Sequence, residues 1–251
     1  MNIALVLSGG NGSRLGGDIP KQYLNVGGRS VISYSIKTFL RSPEIDMVWI
    51  VAKDEWQDEI KDIFEQFENA EILGGFSRPG DTRQLSIYNG ICDIAEYRNG
   101  QGADISSDFV LIHDAARPLL SVLDVESYFK ELEEHDGLMP ILPMKDTVYL
   151  SSDGKSIEGL LDRGQIFSGQ APEIFNLKKY LAANEALIEI KDGQIADGSK
   201  ILTINGSTEV AYMAGMDIVL VPGNEENFKI TTMEDLARFK SIILDEIIFR
   251  G

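Results

Sequence analysis

Near its start the chain reads Ile3-Ala4-Leu5-Val6-Leu7-Ser8-Gly9-Gly10-Asn11-Gly12-Ser13-Arg14-Leu15-Gly16-Gly17, a short apolar run that passes straight into glycines. With no basic leader before it, Ile3–Leu7 reads as a strand and not as a signal peptide. Glycines let backbone N–H groups wrap a phosphate chain, because no Cβ blocks the approach. In an α/β sheet the loop after the first strand lies at a carboxyl end, where ligands usually bind. Ser8, Gly9, Gly10, Asn11, Gly12 and Ser13 are therefore candidate nucleotide-binding residues. The loop is not the dinucleotide fingerprint, whose third glycine would fall at Leu15. It is not a P-loop either, because no Gly-Lys-Ser/Thr closes it. It carries Arg14 and then Pro20-Lys21. Two cations at the mouth of such a loop suit a reaction that expels pyrophosphate, where charge builds on the leaving oxygens. A plain glycine-rich surface loop is the alternative.

Outward from this loop, strand-like runs at Met47–Ala52, Ala70–Leu73, Phe109–Ile112, Gly137–Leu142 and Ile218–Val221 alternate with helical stretches. One helix carries Val31, Ser35, Thr38 and Phe39 on a face, and the next carries Trp56, Ile60, Ile63, Phe64 and Phe67. Ser121-x-x-Asp124 and Thr232-x-x-Asp235 open two more in capping-box style. The first of these has Val122, Val125, Phe129 and Leu132 as its stripe, the second Leu236, Phe239 and Ile243. The β-α-β-α order predicts an α/β fold, a mostly parallel twisted sheet with helices on both faces. The polar stretch from Asp146 to Pro172 breaks the pattern and predicts a protruding β-arm. Residues 1–251 are expected to form one domain with that arm.

The chain has 251 residues, of which 43% are hydrophobic, enough for a sizeable core. No run of about 18 apolar residues suggests a membrane span. A net charge of −17 argues against a general nucleic-acid footprint. A polyanionic small substrate still fits if the few basic residues gather in one cleft. The single cysteine, Cys92, fits a reducing cytoplasm and reads as core filler rather than a nucleophile.

Gly9-Gly10-x-Gly12-x-Arg14-Leu15 with Pro20-Lys21-Gln22-Tyr23-Leu24 resembles the signature of the methylerythritol phosphate and ribitol phosphate cytidylyltransferases. That resemblance implies a Rossmann-like nucleotidyltransferase fold and transfer of a cytidylyl group from CTP to a small polyol phosphate. Later segments resemble the family in the same order. Gly80-Asp81-Thr82-Arg83-Gln84-Leu85-Ser86 implies cytosine contacts or loop positioning for Gly80, Asp81 and Ser86. An ordinary helix start capped by Asp81 or Thr82 is the other reading. Gly74–Pro79 before it looks like a few extra loop residues. His113-Asp114-Ala115-Ala116-Arg117-Pro118 implies a Mg²⁺ ligand at Asp114, a nucleotide contact at Ala115 and an acceptor-phosphate contact at Arg117. A cap or turn role is the bland alternative for a strand-end Asp. His113 reads as structural, since a phosphate monoester acceptor is already anionic, and His135 as a surface residue. Thr147, in Pro143-Met144-Lys145-Asp146-Thr147, and Arg163 imply further acceptor-phosphate contacts, Thr147 in a neighbouring subunit of a homodimer. Lys229, in Asn227-Phe228-Lys229-Ile230-Thr231, implies positive charge near the reacting phosphates. Arg14, Lys21 and Lys229 are thus the expected catalytic cations.

Two departures from the family bear on the acceptor. Gln170-Ala171-Pro172-Glu173 stands where Gln-Thr-Pro-Gln is common, and Asn205-Gly206-Ser207 replaces an acidic Thr-Asp-Asp/Glu. Either the acceptor differs, or Asn205 and Ser207 only cap a helix while Glu225 or Glu226 takes over. The departures favour ribitol 5-phosphate, glycerol phosphate or a similar acceptor over methylerythritol phosphate. An inactive nucleotide-binding homologue is disfavoured by retention of Arg14, Lys21, Asp114, Arg117, Arg163 and Lys229. A nicotinamide-dependent oxidoreductase is disfavoured by the missing third glycine.

Overall fold

A computed structural model describes residues 1–10, 19–192 and 194–250. Its central strands are apolar because both faces are covered. β1 (Asn2–Leu7) turns Ala4 and Val6 toward one core and Ile3 and Leu5 toward the other. A hairpin of β2 (Asn25–Val26) and β3 (Arg29–Ser30) leads into α1 (Val31–Arg41). β4 (Met47–Val51), α2 (Asp54–Glu65), β5 (Leu73–Ser77), α3 (Arg83–Gly100), β6 (Phe109–Asp114) and α4 (Val122–Leu132) continue the alternation. β7 (Gly137–Pro143) then precedes the arm strands β8 (Val148–Leu150) and β9 (Gly159–Leu161). β10 (Phe167–Gly169), β11 (Glu173–Asn176) and α5 (Leu177–Glu185) follow. A small pair, β12 (Ile190–Lys191) and β13 (Gln194–Ile195), precedes α6 (Ser207–Met213), β14 (Ile218–Pro222) and α7 (Met233–Arg250).

The main sheet runs β10-β7-β11-β6-β1-β4-β5, with β14 also on β7. β1 pairs in parallel with β4 and β6, β4 with β5, and β7 with β14. β11 and β10 are antiparallel insertions. One face is packed by α1, α2 and α4 through Ile36, Phe39, Ile60, Phe64 and Val125. The other is packed by α3, α5 and α6 through Ile87, Ile91, Tyr180 and Val210. The expected α/β sheet with helices on both faces is the observed one. Helix starts also fall where the caps predict. Ser121 and Asp124 bond reciprocally at α4, and the Asp235 carboxylate accepts from the backbone of Thr231 and Thr232 before α7.

The structure corrects several boundaries. Ala70–Ile72 is a 3-10 turn, and the strand is Leu73–Ser77, which absorbs most of the supposed loop insertion. Gly74 and Gly75 hide it, because a Cβ on Gly75 would lie 2.7 Å from the Trp49 ring. The indole of β4 occupies the space that strand-forming side chains would need. On α4, Tyr128 is buried where Val122 and Phe129 were expected to be, and both of those are only partly covered. The arm is narrower than 146–172, since Phe167–Gly169 rejoins the main sheet on β7. β11 went unrecognised because a polar residue stands at each end of only four. Pairing with β6 and β7, not periodicity, makes it a strand.

Candidate active site

The carboxyl ends of β1 and β6 open into a cleft of about 530 Å³. Gly9, Gly10, Lys21, Gly80, Asp81, Arg83, Ser86, Asp114 and Lys229 are among its lining residues. Its position follows from the parallel sheet, whose strand ends diverge into loops on one side. Gly9 is needed for close approach, because a Cβ there would sit 2.3 Å from Pro79 Cβ. That contact brings the first loop against the Gly80–Ser86 turn. The residues after Lys21 brace the same loop. Gln22 Nε2 donates to the carbonyls of Ser8 and Gly10, both at 2.7 Å. Tyr23 accepts from the Ser8 hydroxyl at 2.6 Å and stacks on Trp56 at 4.0 Å. The Pro-Lys-Gln-Tyr signature thus has a mechanical reason, with Lys21 and Gln22 lining the cleft while Gln22 and Tyr23 bond to Ser8 and Gly10.

Asp114 sits at the end of β6 among three cations. Its Oδ1 accepts from Arg83 Nε at 3.2 Å and its Oδ2 from Lys229 Nζ at 2.9 Å, with Arg117 Nε at 3.6 Å. Burial alone would raise its pKa, but Arg83, Lys229 with its hydrogen bond, and Arg117 outweigh that effect. The carboxylate is held well below its ordinary range. Lys21 Nζ donates to the Ile230 carbonyl at 2.6 Å, which ties the first loop to the Asn227–Thr231 segment. Asn227 is itself buried and donates to the Ala171 carbonyl at 2.8 Å. A second cavity of about 410 Å³ shares Lys229 with the first and is lined by Arg117, Lys145, Gln170 and Phe228.

The structure brings together Gly9, Gly10, Lys21, Gly80, Asp81, Ser86, Asp114 and Lys229, with Arg117 in the adjoining cavity. Ser8 and Ala115 are buried beside the cleft and do not line it; Ala116 does. Ser86 turns its hydroxyl to the Thr82 carbonyl and accepts from Gly80 N, so it shapes the loop. Thr82 is the α3 cap, its hydroxyl accepting from Leu85 N. Asn11, Gly12, Ser13 and Arg14 lie outside the described residues. Thr147 and Arg163 are exposed, outside both cavities, and Arg163 donates to the Lys145 carbonyl. His113 is fully buried between Phe39 and the Arg117 carbonyl, and burial first of all lowers its pKa to about 4. His135 is near the surface, 2.8 Å from Asp217. Cys92 is half-buried on α3, and burial raises its pKa, the opposite of what a nucleophilic thiol needs.

Arg83 and Glu173, which had no role assigned from sequence, and Ser207, expected as a cap, meet beside the cleft. Arg83 is the first residue of α3, where a cation opposes the helix dipole. That unfavourable placement was the available signal. Glu173 is buried at the start of β11 and accepts from Ser207 Oγ at 2.6 Å. Ser207 is not a cap, because Gly206 holds that position and Ser207 begins α6 fully buried. Glu225 is exposed, pairs with Lys145 and lines the second cavity with Arg117 and Lys229, while Glu226 is exposed and lines neither cavity.

Residues 2–245 match the family model described as IspD: 2-C-methyl-D-erythritol 4-phosphate cytidylyltransferase. The chain belongs to the IspD family. A bifunctional enzyme IspD/IspF of Paramagnetospirillum magneticum is 31% identical over 96% of the chain and 56% of that protein. The chain therefore spans about half the length of the bifunctional relatives it matches. A ribitol-5-phosphate cytidylyltransferase of Streptococcus agalactiae serotype III is 30% identical over 96% of the chain and 95% of its own length. A 2-C-methyl-D-erythritol 4-phosphate cytidylyltransferase of Lachnoclostridium phytofermentans is also 30% identical, with the same coverage. A crystal structure of a 4-diphosphocytidyl-2C-methyl-D-erythritol synthase superposes with a TM-score of 0.74. It covers 97% of each chain at 22% identity, a likeness of fold.

Proposed function

We propose that this member of the IspD family transfers a cytidylyl group from CTP to a small polyol phosphate, giving a CDP-polyol and pyrophosphate. The observation that carries the reading is the gathering of Lys21, Arg83 and Lys229 with Gly9 and Gly10 around one cleft of a chain whose net charge is −17. Three cations around one cavity of so acidic a protein suit a polyanionic ligand. The acceptor's phosphate oxygen attacks the α-phosphorus of CTP in line; the new P–O bond forms as the bond to the pyrophosphate oxygen breaks. Lys21 and Lys229 stabilise charge that grows on the reacting phosphates, and Arg14 serves the leaving group. The acceptor phosphate is anionic and needs no base, in keeping with a buried, neutral His113.

Mg²⁺ fits this cleft in a limited sense. Among the described residues no group of three or more His, Cys, Asp or Glu converges. Two carboxylates, Asp81 and Asp114, do line the cavity, which suits an ion that takes one or two carboxylates plus substrate phosphates. When bound, it would neutralise phosphate charge. Gly80, Asp81 and Ser86 would shape the nucleotide wall and Arg117 would bind the acceptor phosphate.

The acceptor is ribitol 5-phosphate, glycerol phosphate or a similar polyol phosphate, with methylerythritol phosphate as the second reading. Relatives of equal identity carry each name, and the Ala171 and Asn205–Ser207 departures support the first. The chain acts as a single nucleotidyltransferase domain in a cytoplasmic homodimer, without nucleic-acid or membrane partners. On the arm, Tyr149 pairs with Leu160 across β8 and β9, and both are exposed. An isolated two-stranded hairpin is marginal alone, so an apolar pair on it supports docking against a second copy. Thr147 and Arg163 would then reach the partner's acceptor site. Among the described residues no helix is long and apolar enough to cross a membrane. Pyrophosphate release measured with CTP, Mg²⁺ and a panel of polyol phosphates tests the reading. Release with one polyol phosphate is expected, and tight CTP binding with no release from any acceptor overturns it.

A further inference from the structure

Arg83 spends its guanidinium on three elements at once. Nε donates to Asp114 Oδ1 on β6 at 3.2 Å, and Nη1 donates to Ser207 Oγ on α6 at 3.0 Å. Nη2 lies 3.7 Å from Glu173 Oε2 on β11. Ser207 closes the circuit by donating to Glu173 Oε1 at 2.6 Å. Glu173 Oε2 is buried and has no hydrogen-bond partner; burial raises the Glu173 pKa, and Arg83 is the main cation that opposes this. A carboxylate so deeply placed is costly unless a cation faces it. The Arg83 side chain is one-third exposed and lines the nucleotide cleft directly after Gly80, Asp81 and Thr82.

We infer that Glu173 is a positioning residue, which with Ser207 fixes the plane of Arg83 and thereby holds the Gly80–Thr82 wall of the cleft against Asp114. Asp114 and Ser207 hold Nε and Nη1, so without Glu173 the Nη2 edge of the guanidinium loses its facing charge and its tie to β11. Glu173 supplies the missing third point from a strand locked between β6 and β7. It also offsets part of the positive charge that Arg83, Arg117 and Lys229 place around Asp114. The two segments that depart from the family signature are thus in contact, through Glu173 of one and Ser207 of the other. The assignment rests on the proposed function only for its effect on CTP.

Glu173→Gln keeps the shape and the Ser207 contact and removes the charge. The full-length variant is expected to melt within a few degrees of the parent. Its KM for CTP should rise about tenfold, with KM for the polyol phosphate unchanged within twofold. The Arg83 Nε–H signal in ¹⁵N NMR, assigned with Arg83→Lys, should exchange faster with water than in the parent. Glu173→Gln/Ser207→Asp returns a carboxylate within reach of Arg83 and should recover most of both losses. An unchanged Arg83 signal in Glu173→Gln, or a double variant no better than the single, overturns the inference. So does a rise in both KM values together with a large fall in melting temperature. If the parent releases no pyrophosphate with any acceptor, the proposed function fails, while the Arg83 signal still decides the positioning role.

Discussion

Lys21 joins two parts of the site, because its Nζ donates to the Ile230 carbonyl while the side chain lines the nucleotide cleft. Its neighbours Gln22 and Tyr23 do the bracing, so Lys21 can be removed without releasing the loop. Lys21→Ala is expected to lower turnover about 10²- to 10³-fold, the size of one lost charge-stabilising donor. Thermal melting should stay within a few degrees of the parent. Turnover near normal in a folded Lys21→Ala protein would remove Lys21 from the reaction. Much of this residue-level picture was legible in the sequence, since Lys21, Asp114 and Lys229 were singled out and do meet. Arg83 and Glu173 were given no role, because a cation at a helix start and one acid in a departing segment do not by themselves say what they contact. Only their mutual distance marks them.

At the scale of elements, the first turn of α3 forms the wall that separates sheet from nucleotide cleft. Thr82 caps it by accepting from Leu85 N at 3.1 Å, and Ser86 ties back to Gly80. Thr82→Ala is expected to cost about 1 kcal/mol of stability, as loss of a threonine cap usually does. A chemical denaturation midpoint lowered with unchanged slope would show it. An unaltered midpoint would mean the cap is redundant with the Arg83 contacts. The sequence offered this element two readings, helix cap or ligand loop, and the structure shows a cap and a cavity lining in one segment. Thr82 caps, while Gly80 and Asp81 line the cavity. Where elements were misread, the cause was a partner from elsewhere. Gly74 and Gly75 belong to a strand because Met47 and Trp49 fill the space above them.

On the scale of the whole molecule, the arm carries exposed apolar side chains on both of its strands. Tyr149 and Leu160 form a cross-strand apolar pair turned to solvent. Replacing both with glutamate is expected to convert a dimer to a monomer in analytical ultracentrifugation, with pyrophosphate release lowered at least tenfold. A parent that sediments as a monomer at high concentration would count against the homodimer. Release unaffected in the monomeric variant would place Thr147 and Arg163 outside the reaction. The sequence by itself determined the α/β alternation and the caps of α4 and α7, because these depend on neighbours within a few residues. Only the tertiary structure decided that β11 is an antiparallel insert and that Arg83 is shared between Asp114 and Glu173. Those outcomes depend on groups distant in the chain: Arg83 and Asp114 are 31 residues apart, and Glu173 on β11 pairs with Ile112 on β6. Such distances are set by packing the sheet, and no local period records them.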